Sequence, residues 1–62
     1  MLRLGSIVEF KHPFADEIGM TYRLIEDNGD RVLIRAIIDL PFPPTQTVMR
    51  VDLKAARTLE SR

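Results

Sequence analysis

Cysteine and tryptophan are absent from this chain of 62 residues, and histidine occurs once. Without cysteine there are no disulfides and no thiolate metal sites, which fits a reducing, cytoplasmic setting. Neither sign of charge is in excess. Nine basic and nine acidic residues cancel, so the molecule as a whole has no built-in pull toward nucleic acid or anionic lipid. Long apolar runs are missing too. Nothing approaches the roughly 20 residues of a membrane span, and Met1-Leu2-Arg3-Leu4 runs straight into Gly5 and an alternating segment rather than the apolar core of a signal peptide. A soluble cytoplasmic protein with no membrane association is expected.

One domain spanning residues 1–62 is all that this length allows. A chain so short buries only about 60% of its unfolded surface. Scaffolds of this size commonly gain stability from disulfides, a metal or oligomerisation, and self-association is the supplement most open to this one.

What is present is strand chemistry. The segment from Met20 to Ile38 consists of two apolar-rich runs joined by Asp27-Asn28-Gly29-Asp30 and reads as a β-hairpin. Loop length decides which side chains share a face, because a one-residue slip turns a whole strand over. A two-residue Asn28-Gly29 turn places Arg23 opposite Ile34 and Tyr22 opposite Arg35, and both faces become mixed. A three-residue loop, Asp27-Asn28-Gly29, puts Tyr22 and Leu24 on one face with Val32 and Ile34, extended by Met20 and Ala36. Burying apolar area is worth about 25 cal/mol per Å², so the three-residue loop is expected.

On either side of the hairpin the pattern is similar. Ser6 to Lys11 alternates as a first strand with Val8 and Phe10 inward, ended by His12-Pro13. Ala15-Asp16-Glu17-Ile18 is expected to form one helical turn. Three prolines make Asp39 to Gln46 a loop, and Thr47 to Val51 resumes as a strand. The end of the chain has two readings, a short amphipathic helix or a tight turn at Asp52 to Lys54 with a last strand ending near Leu59. The second is preferred because eight residues make a marginal helix.

Three stretches then carry a family resemblance: Gly5-Ser6-Ile7-Val8-Glu9-Phe10, Gly29-Asp30-Arg31-Val32-Leu33-Ile34-Arg35 and Val48-Met49-Arg50-Val51-Asp52-Leu53. Together they resemble the SH3-like small barrels, Tudor and KOW modules among them. The resemblance implies an all-β fold, a five-stranded SH3-like small barrel with a short helical turn before the last strand. Thr47-Val48-Met49-Arg50-Val51 is also loosely similar to the final strands of the plasmid-type dihydrofolate reductases, but the valine-glutamine-isoleucine-tyrosine run lining their pore is missing. That activity is therefore not inferred.

Chemistry-bearing constellations are few. His12 with Asp16 and Glu17 is the one grouping with metal-ligand residue types, and a site needs three convergent ligands. The acidic turn at Glu26 to Asp30 lacks the spacing of a calcium loop. No nucleophile, base and orienter set is visible, so no enzyme activity and no cofactor are expected. The outer hairpin face combines Ile25, Leu33 and Ile37 with arginines. Ile25, Leu33, Ile37 and Arg35, with Phe42 on the proline-stiffened loop, are the candidate protein interface, for a homo-oligomer or another protein partner. The alternative is nucleic-acid binding, with Arg23, Arg31, Arg35 and Arg50 on phosphates.

Overall fold

Alternation along two central strands sets the architecture. The computed structural model describes residues 2–56, in the order β1 (Ile7–Phe10), a 3-10 turn (Ala15–Glu17), β2 (Tyr22–Asn28), β3 (Arg31–Ala36), β4 (Thr45–Met49), a second 3-10 turn (Arg50–Asp52) and β5 (Leu53–Ala55). The five strands make one antiparallel sheet in the order β4-β3-β2-β1-β5, and no α-helix occurs among the described residues. β4 and β5 are its edges. No ladder joins them, so the sheet is open rather than a closed ring of hydrogen bonds.

Tyr22, Leu24, Val32, Ile34 and Ala36 are buried together, as the hairpin pattern requires, with Val8 from β1 and Leu53 from β5. Leu2, Phe10, Met20 and Val48 pack against this core from its margins. Phe10 meets Tyr22 edge to face, with ring centroids 5.3 Å apart, a favoured aromatic geometry. The Tyr22 hydroxyl donates to Met20 Sδ at 3.8 Å. Burial, with the nearby carboxylates of Glu17 and Asp16, holds its phenol above the ordinary value of 10.0.

The faces are as the sequence predicts, but the device that aligns them is different. Asn28 pairs with Arg31, leaving Gly29-Asp30 as a two-residue turn in place of the expected three-residue loop. Gly29 has φ +85°, the left-handed value that the first central position of a tight hairpin turn needs. Its N–H donates to Asp27 Oδ1 at 3.0 Å, which stabilises the bend locally. Parity is restored further down. Glu26 pairs with Leu33 but Leu24 pairs with Ile34, so Ile25 is an extra residue in β2, a β-bulge. The bulge lets an even-length turn coexist with a wholly apolar inner face.

It also divides β2. Before Ile25, Tyr22 and Arg23 pair with β1, and Leu24 exchanges bonds with Gly5 and Ser6 at 2.8 and 3.0 Å. Beyond it, Glu26 to Asn28 pair with β3 alone. β1 in turn pairs with β5 through Val8, Glu9 and Phe10.

Boundaries elsewhere shift from expectation. The fourth strand begins and ends two residues earlier than the sequence suggests, framed by bonds from Ala36 N–H to the Pro44 carbonyl and from Arg50 N–H to the Asp30 carbonyl. The turn expected at Asp52 to Lys54 is the 3-10 turn Arg50–Asp52, with strand β5 directly after it. Leu59, the expected end of the last strand, lies outside the described residues.

Leu24→Ala should lower the unfolding free energy by about 2–5 kcal/mol, read by urea denaturation, and Ile25→Ala by clearly less. Equal losses would show that the bulge is misplaced.

Candidate interaction surfaces

The odd-numbered residues of β3 face away from the core, because Val32, Ile34 and Ala36 between them are buried. Register then assembles the outer face in rows. Arg35 lies between Arg23 and Thr45, Leu33 between Glu26 and Thr47, and Arg31 between Asn28 and Met49. Leu33 is half-buried, as is Ile25 at the bulge, while Ile37, just past β3, is 44% exposed and donates its N–H to the Thr21 carbonyl at 3.0 Å. Four of the five predicted interface residues thus belong to this face or its margin.

Phe42 stands apart at the tip of the loop 37–44. It is 91% exposed, and with Arg35, Pro41 and Pro43 it lines a concavity of 290 Å³. Leu40 on the same loop is exposed as well.

The predicted arginines separate into two groups. Arg23 and Arg35 are direct cross-strand partners, an arrangement that costs energy when nothing anionic lies between them. Arg23 Nη1 donates to the Gly5 carbonyl at 3.1 Å. The ion pairs among the described residues are Arg50 with Asp27 and Lys54 with Glu9, so Arg23, Arg31 and Arg35 have no carboxylate partner there.

Arg50 is occupied within the fold. Its guanidinium pairs with Asp27 and donates to the carbonyls of Gly29 at 2.9 Å and Leu2 at 3.2 Å. One side chain thereby ties the second 3-10 turn to the hairpin turn and to the segment before β1. The hydrogen bond from Arg50, with that from the Gly29 N–H, holds the Asp27 carboxyl below its ordinary value of 3.8. No local signal in the sequence could reveal this, since the partners are far apart along the chain.

Sequence reasoning also missed a cleft. A cavity of 670 Å³ opens between the segment after β1 and the end of β4, with Phe10, His12, Phe14, Glu17, Arg31 and Met49 in its lining. Glu17 fixes its loop wall by accepting the Phe14 N–H at 3.0 Å, while its own N–H donates to the Phe14 carbonyl at 2.8 Å. Its lining comes from separate segments, so no motif announces it. Among the described residues, no group of three or more His, Cys, Asp or Glu side chains is placed to hold a metal, and no helix is long and apolar enough to cross a membrane.

No family model, curated protein or solved structure matches the chain. Its surfaces therefore have to be interpreted from their own chemistry: a mixed sheet face with Leu33 among arginines and threonines, an exposed aromatic loop and an aromatic-lined cleft.

The Asp27 carboxyl stays ionised to lower pH in the fold than in the unfolded chain. Its contribution is complete above 3.8 and is lost as pH falls through the depressed folded value. Melting temperatures of wild type and Asp27→Asn should differ at neutrality and converge by about pH 2. A gap that does not close would mean that the pair with Arg50 does not stabilise the fold.

Proposed function

We propose that this chain is a non-enzymatic, cytoplasmic interaction module or small accessory subunit, self-associating through the outer face of its central hairpin. The observation that carries this reading is the half-coverage of Leu33 and Ile25 on a sheet face where Ile37 and arginines are exposed. Arginine beside apolar side chains suits interfaces, since its stem packs and its planar head makes several hydrogen bonds. Phe42 extends the surface as an aromatic anchor on a proline-stiffened loop.

An SH3-like barrel is the architecture behind this proposal. Its support is the strand order, the bulge in β2 beyond which the strand pairs with β3 alone, and the 3-10 turn before β5. Such a meander wraps one small core and leaves its outer sheet surface free. Fold alone assigns no activity, and the functional reading rests on the surface.

A second reading has its own observation, the unneutralised cross-strand pair of Arg23 and Arg35. A phosphate bridging them would relieve the repulsion, and Arg31 lies further along the same face. This is the nucleic-acid alternative, carried by three arginines, since Arg50 is engaged with Asp27.

Light scattering behind a sizing column, over a dilution series, tests the first reading. Wild type should run as a dimer or larger species that dissociates on dilution, and Leu33→Asp should run as a smaller species than wild type. Mass and melting unchanged in both Ile25→Asp and Leu33→Asp would refute the interface. Nucleic-acid binding that weakens steeply between low and moderate salt, and is lost in Arg35→Glu, would favour the second reading.

A further inference from the structure

Among the described residues no strand lies beside the free edge of β4, and Gln46, Thr47, Val48 and Met49 along it border the 670 Å³ cleft that His12, Phe14 and Glu17 line from the segment after β1. Natural sheets blunt exposed edges with charge, proline, a bulge or a covering segment. Thr45–Met49 contains neither a charge nor a proline, and the uncharged run extends back to Leu40. Its register with β3 is regular through all five pairs. The opposite edge differs, being three residues long with Lys54 at its centre.

Which backbone groups point off the edge follows from the ladder. The bonds from Ala36 N–H to the Pro44 carbonyl and from Arg50 N–H to the Asp30 carbonyl mark hydrogen-bonded pairs, and such pairs alternate along an antiparallel ladder. Gln46 and Val48 therefore bond toward β3. Thr45, Thr47 and Met49 aim their N–H and C=O groups outward, where no backbone partner is found among the described residues.

We propose that β4 pairs antiparallel with β4 of a second copy, about a two-fold axis at Thr47. Thr47 then exchanges both bonds with its own equivalent, and Thr45 of each copy exchanges both with Met49 of the other. This register is the one that satisfies every outward group of the strand. A second copy is the occupant that fits, because the strand is self-complementary in register and puts no charge against itself. Along the cross-strand rows, Arg31 of one copy and Arg35 of the other lie on the two β3 strands, three strand spacings or roughly 14 Å apart, and Arg50, the charge that directly follows the strand, is paired with Asp27 of its own chain. The joined sheet also aligns Leu33 and Thr47 of both copies in one row, doubling the outer face. The inference shares with the proposed function the premise that copies associate, but it uses a different surface.

The test combines two substitutions with amide exchange. Thr47→Pro removes an N–H that the single chain does not use, at the kind of edge position where proline is tolerated. Thr47→Lys sets two like charges face to face across the axis. Both should run as a smaller species than wild type at every concentration, with circular dichroism retained. In wild type, exchange at the Thr45, Thr47 and Met49 amides should speed up by roughly tenfold or more on dilution. Association kept in both Thr47 variants but lost in Leu33→Asp would overturn the edge pairing and leave the outer-face reading standing. A wild-type monomer at all concentrations overturns both. Thr47 amide protection that dilution does not change would mean that the edge is covered from within the chain, and also overturns the proposal.

Discussion

Parity is the constraint on which the fold depends. Two strands of alternating pattern make a core only if their apolar positions fall on the same face, and the turn between β2 and β3 has the wrong length to arrange this unaided. The extra residue at Ile25 supplies the missing half-step. Leu24 and Ile34 then face each other fully buried, with Val8 and Val32 beside them. The same bulge separates the part of β2 that pairs with both β1 and β3 from the part that pairs with β3 alone. A single irregularity thus sets both the register of the core and the point along β2 beyond which only β3 is paired.

Much of this was legible and some was not. The apolar face could be read because burial rewards one grouping of Tyr22, Leu24, Val32 and Ile34 over its mixed rival by far more than turn preferences differ. The route to that grouping could not, since a three-residue loop and a two-residue turn with a bulge produce the same face. Short-range chemistry favoured the latter: Gly29 accepts the positive φ and Asp27 caps its N–H. Thr45 and Gln46 escaped assignment to β4 because edge residues carry no apolar signature and are placed by pairing alone. Arg50 looked like a surface cation from its neighbours in sequence. Its partners at Asp27, Gly29 and Leu2 come together only in three dimensions.

The surfaces follow from what this small core leaves uncovered. β3 sits between β2 and β4, so its outer side chains form the middle of an exposed sheet face, and arginine alternates there with leucine. Among the described residues β4 has one neighbour, and nothing in its own side chains discourages another. Such a molecule presents apolar area on a face and unsatisfied backbone along an edge. These are separate kinds of adhesion, with different salt and sequence dependence: burial tolerates substitution by size, while a backbone ladder tolerates most side chains and rejects proline.

The pairing of β1 with β5 has a consequence for the order of assembly. Val8 meets Ala55 across nearly the whole described chain, whereas β2, β3 and β4 meet through successive reversals. Closing a long loop costs conformational entropy before its contacts return anything, so local pairings form ahead of distant ones. The three-stranded meander is accordingly the surface on which the outer strands arrive. Leu53 is the last buried side chain along the described residues, and it covers the apolar side of β1 from the most distant part of the chain.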